Sequence, residues 1–153
     1  MSLKHLLVSL CAALLLAAGA AWAPPPSADR GASVNENYSV AMVAAPMKAG
    51  ATGAAVVTFK VDGGFHWNRD YPAKVTVADG SPSGAAVKVG KRELKQLKGD
   101  FQATEDGATV KIPLSAVAAG QDTLRVDSRF SICNERMCLI KKASVDVEVV
   151  VTP

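Results

Sequence analysis

Alternation of apolar and polar residues is the strongest pattern in this chain, and it is clearest near the carboxyl end. From Leu124 to Cys133 every second residue is apolar or small, and the same period of two returns from Val145 to Val151. Successive side chains of a strand point to opposite faces, so this alternation predicts strands with one face in a core and one in solvent. Further strand candidates by this pattern are residues 38–43, 54–61, 65–68, 73–77, 86–89 and 109–114.

Helical periodicity is not sustained anywhere after residue 33, and no repeat of fixed spacing is present. Residues 91–99 are polar and basic and are predicted to form a loop. Pro72 is expected to mark a sheet edge or a bulge, because proline cannot donate to a strand ladder. Seven or eight short strands at this spacing favour an all-β, immunoglobulin-like sandwich over residues 34–152.

The first 23 residues follow another pattern and are predicted to be a secretory signal peptide. A positive start is followed by an apolar run over residues 6–22 and by small residues, with cleavage expected after Ala20 or Ala23. A run of about 17 apolar residues is also at the lower limit for crossing a bilayer, so an uncleaved membrane anchor is the alternative. Residues 24–33, which begin with three prolines, are predicted to be an extended tether.

Removal of the signal changes the charge and the cysteine count. It leaves 16 Lys and Arg against 14 Asp and Glu, a balance of about +2 that is too weak and too scattered for a nucleic-acid interface. Cys133 and Cys138 become the only cysteines, and His66 the only histidine. Export places the pair in an oxidising compartment, the bacterial periplasm in this interpretation, where neighbouring cysteines form disulfides.

The cysteine pair is the main candidate for chemistry. Four residues separate Cys133 from Cys138, where one predicted strand ends and the next begins, so the turn should bring their Cα atoms into bridging range. Loop entropy gives so short a bridge only about 2 kcal/mol of stabilisation, and a bridge in an exposed hairpin is easy to reach and reduce. The residues alone leave two alternatives open, a structural staple and a redox-active pair.

Other chemistries have little support in the sequence. The sulfurs of Cys133, Cys138 and Met137 suit Cu(I), but a blue-copper centre needs two histidines and structural zinc needs four ligands. A nucleophile pair between either cysteine and His66 would be lost once the cysteines oxidise. We therefore expect no metal site and no cofactor.

The order of these features resembles the N-terminal periplasmic domain of the thiol:disulfide interchange protein DsbD and the related disulfide bond corrector domains. The resemblance covers about residues 34–152 and rests on Gly-Phe-His-Trp-Asn-Arg at residues 64–69 and on the close cysteine pair near the domain end. This chain has four residues between the cysteines where the family usually has five. It has Leu-Ile-Lys-Lys at residues 139–142 where the family usually has an aromatic-proline turn.

The resemblance implies an immunoglobulin-like sandwich that exchanges disulfides through Cys133 and Cys138, as a component of protein-disulfide reduction. The implied partners are thioredoxin-fold or membrane redox proteins of the periplasm. His66 and Asn68 match site-lining positions of the family, and in a strand they point to the same side, opposite to their neighbours Phe65 and Trp67, which are expected in the core. Arg136 in the loop would favour a thiolate, because a nearby positive charge lowers the pKa of a cysteine.

In the family a loop shields the pair until a partner docks. Residues 91–101 occupy its place in the order of this chain, with Leu94 or Phe101 as the shielding side chain. The alternative function is a non-enzymatic binding or assembly sandwich in which the disulfide only braces the hairpin.

Overall fold

The alternating segments form strands in the computed structural model, which describes residues 31–153. The twelve strands of this range are β1 (Gly31–Val34), β2 (Tyr38–Ala44), β3 (Met47–Lys48), β4 (Thr52–Val61), β5 (His66–Trp67), β6 (Lys74–Val77), β7 (Val87–Val89), β8 (Glu93–Lys95), β9 (Phe101–Ala103), β10 (Gly107–Ala116), β11 (Gly120–Cys133) and β12 (Cys138–Thr152). A 3-10 turn over Gln96–Lys98 lies between β8 and β9.

The strands pack as two six-stranded sheets, which confirms the predicted all-β sandwich. The first sheet has the order β1-β2-β4-β10-β7, with β9 also paired to β10. The second has the order β3-β12-β11-β6-β8, with β5 also paired to β11. All these pairs are antiparallel except that of β3 with β12. The immunoglobulin-like form of the sandwich stays a prediction.

The core lies between the sheets and is filled by alternate side chains of the long strands. Leu124, Val126, Phe130 and Ile132 of β11 are fully buried, as the sequence predicted. Phe130 belongs to an aromatic cluster whose ring centroids lie 5.0–6.3 Å apart, formed by Tyr38, Phe59, Trp67, Phe101 and Phe130. Each such pair contributes about 0.5–1.5 kcal/mol beyond its buried area. The cluster therefore stabilises the end of the core where β5 meets β11.

Four strands, β1, β3, β8 and β9, are not indicated by the sequence pattern. They are two to four residues long, too short for a period of two to appear. The prediction of a loop over residues 91–99 is wrong, because this segment contains β8 and the 3-10 turn. Asp100 ties the two ends of this segment together, since its carboxylate accepts hydrogen bonds from the N–H of Lys95 and the ammonium of Lys91.

The predicted signal peptide lies outside the described residues, as does the predicted tether up to residue 30. Residues 31–33, also assigned to the tether, instead belong to β1, which pairs with β2. A Cβ at Gly31 would collide with the carbonyl oxygen of Asp146, so only glycine allows this approach of β1 to β12. Within residues 31–153, no helix has the length and apolar character needed to cross a membrane.

Candidate functional site

The cysteine pair lies at the tip of a long hairpin formed by β11 and β12. The ladder runs without a break from Gly120 opposite Val151 to Cys133 opposite Cys138. The predicted disulfide is present, with an S–S distance of 2.00 Å and Cα atoms 4.0 Å apart. That Cα separation is slightly below the usual range of disulfides. The β11–β12 ladder places the two cysteines side by side.

Asn134 organises the loop that joins the two cysteines. Its N–H donates to the carbonyl oxygen of Met137 at 2.9 Å, and its Oδ1 accepts from the N–H groups of Arg136 and Met137, both at 2.9 Å. This is an Asx turn, in which a short polar side chain takes the place of a backbone acceptor. Sequence reasoning did not identify Asn134, although an asparagine just after a strand is a known signal for such a turn.

The two cysteines differ in their exposure to solvent. Cys133 is only 7 % exposed, whereas Cys138 is exposed. Cys133 lies on β11, which has β12 on one side and β5 on the other. Among the described strands, β12 pairs at Cys138 with β11 alone, because its pairing with β3 is confined to residues 151–152. A thiol arriving from solvent therefore reaches the Cys138 side of the bridge.

Two of the predicted site-lining residues lie next to the pair. β5 places His66 directly opposite Cys133, and paired residues of a ladder project to the same face. Asn68 lies two residues beyond His66, and its N–H donates to the carbonyl oxygen of Ser131 at 3.0 Å and its Nδ2 to Ser131 Oγ at 3.5 Å. Trp67, between them, is buried as expected.

Gln96 fixes the chain that follows β5. Its Oε1 accepts a hydrogen bond from Trp67 Nε1 at 2.7 Å. Its Nε2 donates to the carbonyl oxygens of Asn68, Arg69 and Tyr71 at 3.2, 2.6 and 2.9 Å. One side chain thus ties the aromatic cluster to the segment that carries Asn68. Sequence reasoning missed Gln96, since its partners lie some 25 residues away along the chain.

Residues 91–101 do not have the shielding role expected from their place in the order. Leu94 is a core residue of β8, which pairs with β6. Phe101 belongs to the aromatic cluster and to β9, in the opposite sheet from the disulfide. The segment instead supplies Gln96, and Cys138 is left exposed.

The third predicted site-lining residue, Arg136, is exposed in the loop, and its backbone N–H binds Asn134. Within residues 31–153 its guanidinium forms no ion pair. Two large apolar side chains are also exposed here, Met137 at 52 % and Ile140 at 55 %. Ile140 lies opposite Ser131, on the face that carries the disulfide. The tip of the hairpin therefore combines an accessible bridge, an unpaired cation and an apolar surface.

A cleft of about 670 Å³ lies at the other end of the hairpin and is lined in part by Asp122. Asp122 is buried, and its carboxylate accepts four backbone N–H bonds, from Ser83, Gly84, Ala86 and Val87. Burial acts to raise the pKa of Asp122, but the hydrogen bonds outweigh it and hold the pKa below its usual value. This carboxylate anchors the 83–87 segment.

Metal coordination has no candidate site within residues 31–153, where no three His, Cys, Asp or Glu side chains are grouped closely enough.

No protein-family model matches the chain, and no curated protein shows significant similarity to it. The relationship to the DsbD N-terminal domain therefore stays a hypothesis based on the sequence.

Proposed function

We propose that this protein is an exported thiol–disulfide exchange module whose working group is the Cys133–Cys138 bridge. The observation that carries the proposal is the unequal exposure of the two cysteines, with Cys138 open to solvent and Cys133 buried. Exchange needs one sulfur that a partner thiolate can reach. It also needs a second cysteine held close enough to re-form the bridge, and the 4.0 Å separation of the Cα atoms meets this requirement.

A purely structural role accounts poorly for this bridge. The disulfide joins residues that already face each other at the end of a ladder of fourteen residue pairs. It closes a loop of six residues, for which chain entropy gives only about 2 kcal/mol. It links neighbouring strands of one sheet and makes no connection between the two sheets.

The exchange is a pair of displacements at sulfur. A thiolate of a partner dithiol attacks Sγ of Cys138, the Cys133–Cys138 bond breaks, and Cys133 leaves as a thiolate that takes up a proton. The second thiol of the partner then loses its proton and attacks the partner's own sulfur in the mixed disulfide, which releases Cys138 as a thiol. Two electrons and two protons have passed to this protein, and the reverse sequence passes them on to another disulfide.

The surroundings of the bridge suit these steps. His66 lies opposite Cys133, so its imidazole is a hydrogen-bonding side chain on the same face as the leaving thiolate. Arg136 adds a positive charge beside the pair, which favours the thiolate form. Met137 and Ile140 offer apolar contact to the residues around a partner's cysteine. The proposed partners are the thioredoxin-fold or membrane redox proteins of the periplasm.

The test is transfer of the oxidised state between proteins. The oxidised chain is mixed with an equimolar, reduced thioredoxin-fold protein that carries a Cys-x-x-Cys pair, and the thiols are trapped by acid and alkylation and counted by mass. We expect the Cys133–Cys138 bridge to open as the probe becomes oxidised, while the Cys133→Ser/Cys138→Ser variant leaves the probe reduced. A bridge that stays closed beside a fully reduced probe would overturn the proposal and favour a binding module with a structural disulfide.

A further inference from the structure

Three cationic side chains form a row across the outer face of the second sheet, on three adjacent strands. Lys74 of β6 lies directly opposite Arg129 of β11, and Arg129 lies directly opposite Lys142 of β12. All three side chains are exposed. Adjacent strands are about 4.8 Å apart, so the row spans roughly 10 Å. We call Lys74, Arg129 and Lys142 the cationic row.

The positive charge of this row is largely uncompensated. Within residues 31–153, Arg129 and Lys142 form no ion pair, and Lys74 reaches only Glu93, at 4.0 Å. Glu93 lies much closer to Lys95, at 2.6 Å. Like charges placed directly opposite each other on a sheet are destabilising. Two such pairs in succession therefore point to an anionic group bound from outside.

A groove of about 290 Å³ runs along the cationic row. Its one carboxylate, that of Asp127, accepts a hydrogen bond from the hydroxyl of Ser144. Three positive charges and one negative charge line the groove, so its balance favours an anion.

The cationic row and the disulfide lie on the same face of the same hairpin. Arg129 and Cys133 are four residues apart on β11, which corresponds to about 13 Å along a strand. Exposed Ile140 lies between them, opposite Ser131. One continuous face thus carries the reacting bridge, an apolar side chain and the cationic row.

We propose that this face docks the redox partner, and that the partner presents an acidic surface patch about 13 Å from its own reacting cysteine. The proposal rests on the exchange function and adds the chemistry of the partner. Charge complementarity of this kind raises association rates by 10-fold or more at low ionic strength and loses its effect in high salt.

The experiment uses two synthetic peptides, each with one cysteine linked to a chromogenic thionitrobenzoate leaving group. One peptide carries four glutamates that begin three residues from the cysteine, and the other carries four glutamines in the same places. Release of the chromophore by the reduced protein gives a second-order rate constant for each peptide. The variant is Lys74→Gln/Arg129→Gln/Lys142→Gln. The matched control is Lys60→Gln/Lys88→Gln/Lys111→Gln, which removes three exposed lysines from the other sheet.

We expect the acidic peptide to react about tenfold faster than the neutral one at low salt. This advantage should vanish in roughly 0.5 M salt, where the Debye length is only about 4 Å. The cationic-row variant should lose the advantage and keep its rate with the neutral peptide, whereas the control should keep both. Equal rates for the two peptides would overturn the docking proposal and leave the exchange function intact. The docking proposal would also be overturned if the cationic-row variant differed from the wild type only in its binding to vesicles of anionic phospholipid. Failure of the exchange function would show separately, as a bridge that a reduced thioredoxin-fold protein cannot open.

Discussion

Cys133 and Cys138 are paired residues at the end of one strand ladder, yet Cys133 is buried and Cys138 is exposed. β5 causes this difference, because it covers the free side of β11 and leaves β12 open at the same level. The two residues are therefore chemically identical but differ in their access to solvent. The order of their reactions follows from that inequality.

Single-cysteine variants test the order directly. Both variants also carry Cys11→Ser, so the remaining thiol is the exposed Cys138 in Cys133→Ser and the buried Cys133 in Cys138→Ser. We expect the Cys138 thiol to react with 5,5′-dithiobis(2-nitrobenzoate) at least about tenfold faster, because the rate of thiol attack depends on access. The two variants should react alike in about 6 M guanidinium chloride, because this concentration unfolds most domains and exposes both thiols. Equal rates in the folded proteins would contradict the assignment.

Asn134 should stabilise the loop between the cysteines. Asn134→Ala removes the acceptor of two backbone N–H groups, so we expect a loss of about 1 kcal/mol in unfolding free energy, measured in urea. Amide hydrogen exchange at Arg136 and Met137 should accelerate. Glu135→Ala, at the next position of the same loop, is the control and should change neither quantity.

Gln96 should hold the segment after β5 in place. Gln96→Ala leaves Trp67 Nε1 and three carbonyl groups without their partner, and we expect a loss of about 1–3 kcal/mol in unfolding free energy. Leu97→Ala is a matched control on the same 3-10 turn, since Leu97 is 66 % exposed. If both variants unfold at the same urea concentration as the wild type, Gln96 has no such role.

Asp122 should make stability depend on pH. Its pKa is lowered in the folded protein, so its contribution is fully present above the unfolded value, near pH 4, and is lost as the pH falls through the folded value. Asp122→Asn should lower the unfolding free energy at pH 7 by about 1–3 kcal/mol, and the gap to the wild type should narrow below about pH 4. Asp79→Asn, an exposed carboxyl of the same cleft, serves as the control. A gap that stays constant from pH 7 to pH 2 would contradict this account of Asp122.

The long strands and the position of the disulfide were predictable because each depends on local pattern. The alternation from Leu124 to Ile132 identifies β11 and its buried face, and the short spacing of Cys133 and Cys138 identifies the hairpin tip. Strands such as β3 and β8 were not predictable, since two or three residues show no period and form only because a neighbouring strand offers hydrogen bonds.

The surroundings of the site depend on register, which the sequence does not display. His66 faces Cys133 only because β5 pairs with β11, although the two residues lie 67 positions apart in the chain. The cationic row likewise appears only when Lys74, Arg129 and Lys142 are aligned by two ladders. The shielding role expected for residues 91–101 was wrong, because that expectation used the order of segments and took no account of the core positions of Leu94 and Phe101.

The reduction potential of the Cys133–Cys138 bridge tests the central claim most directly. The full chain is equilibrated in glutathione buffers of graded potential, and the dithiol fraction is read by alkylation and mass. An exchange module should have a potential above about −300 mV, within the range of redox-active pairs. A potential below about −300 mV, typical of inert structural bridges, would contradict the proposed function.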